Sequence, residues 1–394
     1  MKNLFLSFIN SVSSLIKKNK KLIITCGINF NSFNENTRYL YLYLSKKKDF
    51  EIYWMTENEK IFNYLKKKKL KVIKRKSLKS FFLLMRAGII ISSGESYPNF
   101  LNLISKNTIK ISLRHGAGPK FSAVSYEISN KNKIFKVNDK GKSFIKEINK
   151  SDYINFTSNK LANIFENNFF ISRSKIKILG FPRCDHLFNK KLSRDLYNKK
   201  IISKKYFKIN KRDKIILYAP TWRLNEKKFP IEFLSNFNWK KFNNFLFQNN
   251  LYFFINLHTY SNLKLKINLN RIKIIKKNEL FDINQFLPEV DILITDYSAI
   301  ATDYAILKRK IIYVIPDYDE FKKINGFFVD IKKFNAGLIA KDNESLLRII
   351  KEKSKIDNVK IKRYLKFYYD TNITNSSEQV YEFLKNKVNN NLIS

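Results

Sequence analysis

Residues 291–303 contain the stretch around which we expect the chemistry of this chain to be organised. The short apolar run at 292–294 is typical of a buried parallel strand, and the spacing over 299–307 predicts a helix. Asp296 and Ser298 lie between the two. A helix that begins at the carboxyl end of a parallel strand points backbone N–H groups into the crevice, where they favour a phosphate. The alternative is that Asp296 and Ser298 only cap the helix.

A second candidate is the glycine-rich loop at residues 114–120, RHGAGPK, which follows a predicted strand. Gly116 and Gly118 allow the backbone to approach a ligand closely, and Lys120 offers a cation. His115 would lie at the carboxyl end of the strand, where open α/β sheets place their sites. Because histidine accepts a proton near neutral pH without a shifted pKa, His115 is a candidate general base. A structural role for His115 is the alternative.

Two further turns contribute arginines. The segment GFPRCD at 180–185 combines glycine and proline in a rigid turn that presents Arg183. After the predicted strand 214–218, the segment APTWR presents Thr221 and Arg223. A guanidinium suits bidentate contact with a phosphate, and the threonine adds a hydroxyl at the same sheet edge. These side chains are therefore candidates for a phosphate site.

Histidines are few in this sequence, which contains only His115, His186 and His258. His258 follows the predicted strand 252–257 and so also lies where a strand ends. No GxGxxG fingerprint follows the first strand, and the chain has neither a Walker A sequence nor a nucleophile elbow. Dinucleotide oxidoreductases and kinases therefore lose support.

The composition is strongly basic, with 76 Lys and Arg against 33 Asp and Glu and a formal net charge of +43. Such a charge favours nucleic acid, an anionic membrane or an anionic substrate as partner. Lys, Asn, Ile and Phe are abundant together, as coding bias towards A and T would produce, so we discount part of the excess. Cys26 and Cys184 have neither disulfide nor metal-ligand spacing, which is typical of a cytosolic protein.

The first 21 residues predict a basic amphipathic helix. Apolar residues recur at helical spacing over 4–16, and four lysines lie within 17–21. Polar residues interrupt the apolar run and no cleavage site follows, which argues against a signal peptide or a spanning helix. We expect this helix to lie on anionic lipid, with packing on the protein's own surface as the alternative.

Strand and helix patterns alternate along most of the chain, which predicts an α/β fold with parallel sheets. With 394 residues the chain has room for two domains, each with its own core. The pattern places one domain at 22–189, a second at 213–355 and C-terminal helices at 356–394. A lysine-rich linker over 190–212 would join the two domains.

Taken in order, these segments resemble the CDP-glycerol glycerophosphotransferase family of teichoic-acid and related capsular polymer synthesis. The likeness extends over most of the chain, from Phe30 to Gly337. The blocks that carry it are His115-Gly116 with Lys120, GFPRCD at 180–185, LYAPTWR at 217–223, His258, and LITDYS at 293–298 with Asp303.

The resemblance implies a GT-B fold, in which two Rossmann-like domains face a central cleft with the donor on the second domain. It implies transfer of an alditol phosphate from CDP-glycerol, or another CDP-alditol, to a hydroxyl of a polyprenyl-linked, oligosaccharide or polymeric acceptor, with release of CMP. No cofactor is implied. Because no acidic cluster has the spacing of a metal site, we expect cationic side chains in place of Mg²⁺. The enzyme would be cytoplasmic and peripheral on the inner face of the cell membrane.

The resemblance also implies roles for the candidate residues. His115 would be the base, and His258 would stabilise the pyrophosphate during catalysis. The residues expected to bind the donor and its phosphates are Arg183, Thr221, Arg223, Asp296, Ser298 and Asp303. Lys120 and Gly116 are expected at the acceptor or at a phosphate.

The chain departs from the family pattern in ways that leave the alditol and the acceptor open. Arg114 precedes the His-Gly pair where many relatives have an aromatic residue, and Ala299 stands where a second serine is common. A GT-B nucleotide-sugar glycosyltransferase is the alternative enzyme. A non-enzymatic nucleic-acid binder would explain the charge but would leave the histidine and Thr-Trp-Arg blocks unused.

Overall fold

The structure is a computed structural model. It describes residues 11, 13–94, 107–120, 145–188, 209–210, 212–223, 238–257, 267–275, 277–352, 356–370 and 374–389. Within these ranges the strands form two separate sheets, and every neighbouring pair is parallel. This confirms the predicted α/β fold with two parallel sheets. The predicted linker over 190–212 lies almost entirely outside the described ranges.

The first sheet has the strand order β3-β2-β1-β4-β5-β6-β7 in the described part of the chain. Its strands are β1 (Asn19–Cys26), β2 (Glu51–Thr56), β3 (Val72–Lys74), β4 (Ala87–Ser92), β5 (Ile109–Ser112), β6 (Tyr153–Phe156) and β7 (Ile176–Ile178). The helices between them are α1 (Glu35–Leu44), α2 (Glu59–Lys67), α3 (Leu78–Arg86) and α4 (Asn159–Phe169). In register, Thr25 of β1 pairs with Trp54 on one side and with Ile91 on the other.

The second sheet has the order β10-β9-β8-β11-β12-β13 among the described residues. Its strands are β8 (Lys214–Tyr218), β9 (Leu251–Ile255), β10 (Ile272–Ile274), β11 (Ile292–Thr295), β12 (Lys310–Val314) and β13 (Leu338–Ala340). The short helix α5 (Asp185–Phe188) precedes it, and its own helices are α6 (Trp239–Gln248), α7 (Ile300–Ala305), α8 (Tyr318–Asn325) and α9 (Asn343–Lys351).

The central strands are buried along their whole length because helices cover both faces of a parallel sheet. Every residue of β4 and of β11 is buried. Helices α1 and α7 are buried almost all round, whereas α2 buries one face only. In α2, for example, the Asn58 side chain caps the first turn, and Ile61 and Leu65, one turn apart, are fully buried.

The last two helices return the chain to the first domain. They are α10 (Asn358–Tyr368) and α11 (Ser376–Asn389). Helix α11 buries Val380 and Leu384 in the core of the first sheet. The Asp185 carboxylate accepts the backbone N–H groups of Ser376 and Ser377 at 2.7 and 2.9 Å, which caps this helix from the end of the first domain.

The basic N-terminal segment is described only in part, because residues 1–10 and 12 lie outside the described ranges. Strand β1 begins at Asn19. Lys18 is buried and its Nζ donates to the Met85 carbonyl at 2.6 Å, so this lysine, expected to face lipid, lies inside the protein. Among the described residues, no helix has the length and apolar character needed to cross a bilayer.

Candidate active site

One buried carboxylate, that of Asp296, organises the carboxyl end of the second sheet. Asp296 directly follows β11 and is fully buried. It accepts hydrogen bonds from the Thr221 N–H at 2.8 Å, from Thr221 Oγ1 at 2.7 Å and from the Tyr297 N–H at 2.6 Å. These bonds tie the loop after β8 to the loop after the neighbouring strand β11. Two predicted site residues, Thr221 and Asp296, are therefore in direct contact.

Arg223 joins this cluster by contacting two carboxylates. Its Nη1 lies 2.6 Å from Asp296 Oδ2, and its Nε and Nη2 donate to the Asp317 carboxylate at 2.9 and 3.1 Å. The guanidinium also lies over the Phe321 ring, 4.6 Å from its centroid. Burial acts to lower the pKa of Arg223, but the attraction of Asp296 and Asp317 outweighs it and the pKa is raised. Arg223 therefore remains a cation in a buried position.

Asp317 is a residue of this cluster that the sequence did not predict. It comes shortly after β12, which lies beside β11 in the sheet. Besides Arg223, it accepts a hydrogen bond from the Tyr297 hydroxyl at 3.0 Å. Its place near the carboxyl end of a neighbouring parallel strand is the signal that could have identified it.

Arg183 links the two domains through two carboxylates, the half-buried Glu35 and the buried Asp303. Its Nη1 donates to Glu35 Oε2 at 2.6 Å, and its Nη2 lies 2.9 Å from Asp303 Oδ2. Asp303 also accepts a hydrogen bond from the Tyr369 hydroxyl at 3.0 Å. Burial raises the pKa of Glu35 and of Asp303, and the Arg183 charge partly offsets that rise. Glu35 lies in α1 and Asp303 in α7, so the guanidinium bridges a helix of each domain.

The His115 loop is held by its backbone. The Arg114 carbonyl accepts a hydrogen bond from Asn36 Nδ2 at 2.7 Å, and the His115 carbonyl accepts one from the Arg183 guanidinium. His115 itself is exposed. A fixed backbone with an exposed ring suits a residue that must meet a substrate, and His115 lies at the carboxyl end of the first sheet as predicted.

The two glycines of this loop lie against the beginning of α7 in the second domain. A Cβ atom added to Gly116 would lie 3.0 Å from the Ala299 Cβ, and one added to Gly118 would lie 3.3 Å from it. Their small size therefore lets the loop after β5 approach the turn after β11 closely. The structure thus brings the predicted histidine loop and the predicted Asp-Tyr-Ser turn together.

Lys120 ends this loop in contact with the second domain, where its backbone pairs with Phe327. Burial lowers the pKa of Lys120 to about 8, while Asp296 acts to raise it and Arg223 to lower it further. The ammonium therefore lies in the electrostatic field of the Asp296 cluster, although it comes from the first domain.

The remaining predicted residues are Ser298 and His258. Ser298 is half-buried, and its Oγ lies 3.4 Å from the Ile300 N–H, the distance of a weak cap. His258 lies outside the described residues, so its predicted role in catalysis stays a prediction.

Comparison with known proteins first defines the class of fold. Solved structures of the wall teichoic acid polymerase TagF match 99% of this chain, and 96% and 97% of their own, with TM-scores of 0.76 and 0.77 at 21% identity. At that identity the match shows the fold, an α/β architecture with two parallel-sheet domains.

The sequence then identifies the family. The family described as CDP-glycerol:poly(glycerophosphate) glycerophosphotransferase matches residues 8–386, so the chain belongs to this family of phosphotransferases, as its motifs predicted. The teichoic acid glycerol-phosphate transferase of Staphylococcus aureus is 27% identical over 89% of this chain and 88% of its own length. The teichoic acid poly(glycerol phosphate) polymerase of Bacillus spizizenii is 28% identical, with coverages of 92% and 91%. The teichoic acid ribitol-phosphate primase of Bacillus spizizenii is 24% identical, with coverages of 77% and 76%.

Proposed function

We propose that this protein is a CDP-glycerol glycerophosphotransferase of teichoic-acid-like or capsular polymer synthesis. A hydroxyl of a lipid-linked or polymeric acceptor attacks the β-phosphorus of CDP-glycerol. A new oxygen–phosphorus bond forms, the bond from that phosphorus to the bridging oxygen breaks, and CMP leaves with the bridging oxygen. The observation that carries the proposal is a family match that spans both sheets and includes the His115 loop and the Asp296 turn.

His115 acts as the general base of this reaction. Its exposure leaves the ring accessible to an acceptor, while the hydrogen bonds to its loop restrict the movement of the backbone. Positioning and electrostatic stabilisation supply most of the catalysis in phosphoryl transfer, and a base that accepts the proton of the attacking hydroxyl adds to them. His258 acts with it, on the pyrophosphate.

The donor binds at the carboxyl end of the second sheet. Arg223 and Ser298 lie nearest to the phosphates, and the developing negative charge is balanced by preorganised cations. Thr221 and Asp296 hold the two loops in place through their mutual hydrogen bonds, which support this assignment. Because those bonds occupy the Asp296 carboxylate, its contribution to the donor is indirect.

Arg183 and Asp303 contribute by holding the two domains in the working arrangement. Their ion pair joins the end of the first domain to α7, and the His115 carbonyl rests on the same guanidinium. The two domains face a common cleft in a GT-B arrangement, with the acceptor on the first domain near Lys120 and Gly116.

The protein acts at the cytoplasmic face of the membrane, and the exposed face of α3 supports this location. Leu78 and Phe82, one helical turn apart, are 80% and 62% exposed, and the exposed cations Lys79 and Arg86 lie on the same helix. Leu15, 86% exposed, lies in a segment that Lys18 attaches to the end of α3. Apolar side chains flanked by cations are typical of a surface that binds anionic lipid.

A donor panel tests the reaction. Purified protein is incubated with CDP-glycerol, CDP-ribitol and UDP-N-acetylglucosamine, each with a soluble acceptor analogue, and nucleotide release is followed. We expect acceptor-dependent CMP release from CDP-glycerol. If CMP is released from CDP-ribitol only, the donor is a ribitol derivative and the proposed alditol is wrong. If UDP is released and CMP is not, the protein is a glycosyltransferase and the proposed reaction is wrong.

A vesicle sedimentation assay tests the location. The double variant Leu78→Ser/Phe82→Ser, and separately a deletion of residues 1–17, should weaken binding to anionic vesicles while turnover on a soluble acceptor persists. Phe247→Ser removes a side chain that is 65% exposed on α6 of the second domain and serves as the control. Unchanged sedimentation of both test proteins would contradict a lipid-binding role for this face.

A further inference from the structure

A small cavity lies beside the His115 loop where the two domains meet. Its volume is about 50 Å³, and its lining includes residues of loop 114–120 and Phe156 from the first domain and Ala299 and Phe328 from the second. One buried water needs roughly 10–15 Å³ of such volume. The cavity is therefore large enough for a few waters or for one tetrahedral oxyanion.

Two cationic side chains, Arg114 and Lys120, line this cavity. Arg114 is almost fully buried, and its guanidinium carbon lies 3.8 Å from the Phe165 ring centroid and 4.6 Å from that of Phe156. Rings that contact a guanidinium restrict its orientation, and all five of its N–H donors lie in its plane. Such a group is suited to a planar, directional contact with phosphate oxygens.

The backbone of Arg114 is also unusual. Its φ is 57°, in the left-handed region that a non-glycine residue occupies at an energetic cost. The hydrogen bond from Asn36 to its carbonyl stabilises this conformation. Strained residues that their surroundings hold in place cluster at functional sites, and this one directly precedes His115.

The charge around the cavity favours an anion. Lys120 keeps most of its positive charge at neutral pH because its pKa is about 8. The Asp296 carboxylate, which acts to raise the pKa of Lys120, is paired with Arg223 at 2.6 Å. The cavity is therefore lined by two cations, Arg114 and Lys120. The negative charge of the neighbouring Asp296 is largely compensated by Arg223.

We propose that this cavity binds one phosphate group of a substrate and that Arg114, together with Lys120, sets the preference for substrates that carry it. The inference rests on the proposed function, whose substrates supply that group in two forms. One is the β-phosphate of CDP-glycerol, and the other is a phosphodiester of a glycerol-phosphate acceptor.

Calorimetric titration with sulfate tests the site without turnover. The Arg114→Met variant keeps an unbranched apolar side chain against the two rings and removes the guanidinium, while Arg114→Lys restores a charge without the fork. We expect sulfate affinity to fall about tenfold or more in Arg114→Met, and less in Arg114→Lys, because a charged hydrogen-bonding partner is lost. Arg348→Met removes the same charge from an exposed position of α9 and should leave the affinity unchanged.

Kinetics distinguish the two phosphate sources. The first arm measures the KM for CDP-glycerol, and the second compares a soluble acceptor that carries a terminal glycerol phosphate with the same acceptor lacking it. A raised KM for CDP-glycerol in Arg114→Met assigns the site to the donor. A loss of discrimination between the two acceptors assigns it to the acceptor.

The outcomes separate the two proposals. If sulfate affinity and all KM values in Arg114→Met equal those of Arg348→Met, the phosphate site is wrong even though the wild-type enzyme turns over. If the wild type releases no CMP while sulfate binding still depends on Arg114, the proposed reaction is wrong and the anion site stands. Should Arg114→Met fail to fold in a thermal scan, Lys120→Met removes the other cation and is judged by the same sulfate criterion.

Discussion

The loops after β8 and β11 bury their charges, whereas the loop after β5 exposes its histidine. In the second domain, the carboxylate of Asp296 is completely occupied by Thr221, Tyr297 and Arg223. In the first domain, His115 is exposed, and its backbone carbonyl accepts a hydrogen bond from Arg183. The second domain thus contributes a buried charged cluster, called the frame below, which consists of Asp296, Thr221, Tyr297, Arg223 and Asp317. The first domain contributes the exposed side chain of His115.

This difference predicts two kinds of variant. Because buried, mutually paired groups contribute to folding as well as to binding, changes in the frame should lower stability and donor affinity together. Changes in the exposed histidine should alter turnover and leave stability almost untouched, since exposed side chains contribute little to folding. Each experiment below therefore measures both quantities.

The largest effect is expected for Asp296→Ala. It leaves the Arg223 guanidinium without one of its two carboxylates and removes the acceptor of two backbone N–H groups, so unfolding should become easier by about 3–5 kcal/mol. Urea denaturation measures the change. The control Asp319→Ala, at an exposed position of α8, should stay within about 0.5 kcal/mol of wild type. Equal stability of the two variants would contradict the idea that the Asp296 cluster contributes to folding.

His115→Ala should lower kcat by about 100-fold or more, because the general base is removed. Its urea midpoint and its calorimetric affinity for CDP-glycerol should equal those of the wild type. Near wild-type turnover would exclude His115 as the base. A large loss of stability would instead mean that the ring, despite its exposure, belongs to the frame.

The sequence predicts features that depend on neighbouring residues better than features that depend on contacts between residues far apart in the chain. The strand over 214–218 has the predicted bounds, because the local pattern of apolar residues determines them. The short strands β10 and β13 were not predicted.

The sequence predicted individual residues of the site but not the contacts between them. The sequence placed His115, Arg183 and Asp303 on separate segments, but the link from Glu35 through Arg183 to Asp303 joins residues that are far apart in the chain. Lys18 shows the same limit, because only tertiary packing reveals that it bonds to Met85 inside the protein. Partners distant in sequence leave no local pattern.

Arg223→Lys keeps the charge of the frame but loses the bidentate contact with Asp317, so donor affinity should fall about tenfold. Calorimetry with CDP-glycerol measures the loss, and Ser298→Ala is compared in parallel. Arg348→Lys, on the exposed face of α9, provides the matched control. If both Arg223→Lys and Ser298→Ala bind the donor as the wild type does, the phosphate site lies elsewhere.

A smaller effect is expected from pH, through Lys120. Its pKa is about 8, so it is mainly protonated at pH 7 and mainly neutral at pH 9. Sulfate, whose charge is constant in this range, should therefore bind up to about tenfold more weakly at pH 9. The charged or titratable groups around Lys120 include Asp296, Arg223, Arg114 and His115. An equal decline in Lys120→Met would assign the pH dependence to another group.

The smallest effect is expected where the two regions touch, at Gly116 and Gly118. Neither glycine has a positive φ, so alanine is compatible with the backbone, and the contact with Ala299 decides the outcome. The added Cβ would lie 3.0 Å from the Ala299 Cβ in Gly116→Ala and 3.3 Å in Gly118→Ala. Both distances require a shift of a few tenths of an ångström. At Gly116, which directly follows His115, the shift should lower kcat several-fold by moving the histidine, at a stability cost of roughly 1 kcal/mol. Gly118→Ala should affect kcat less. A Cβ added to Gly118 would also lie 3.3 Å from the Ala299 backbone nitrogen. If neither variant changes kcat or stability, the loop is not positioned by its contact with Ala299, and the Asp296 cluster and the histidine loop act independently of this contact.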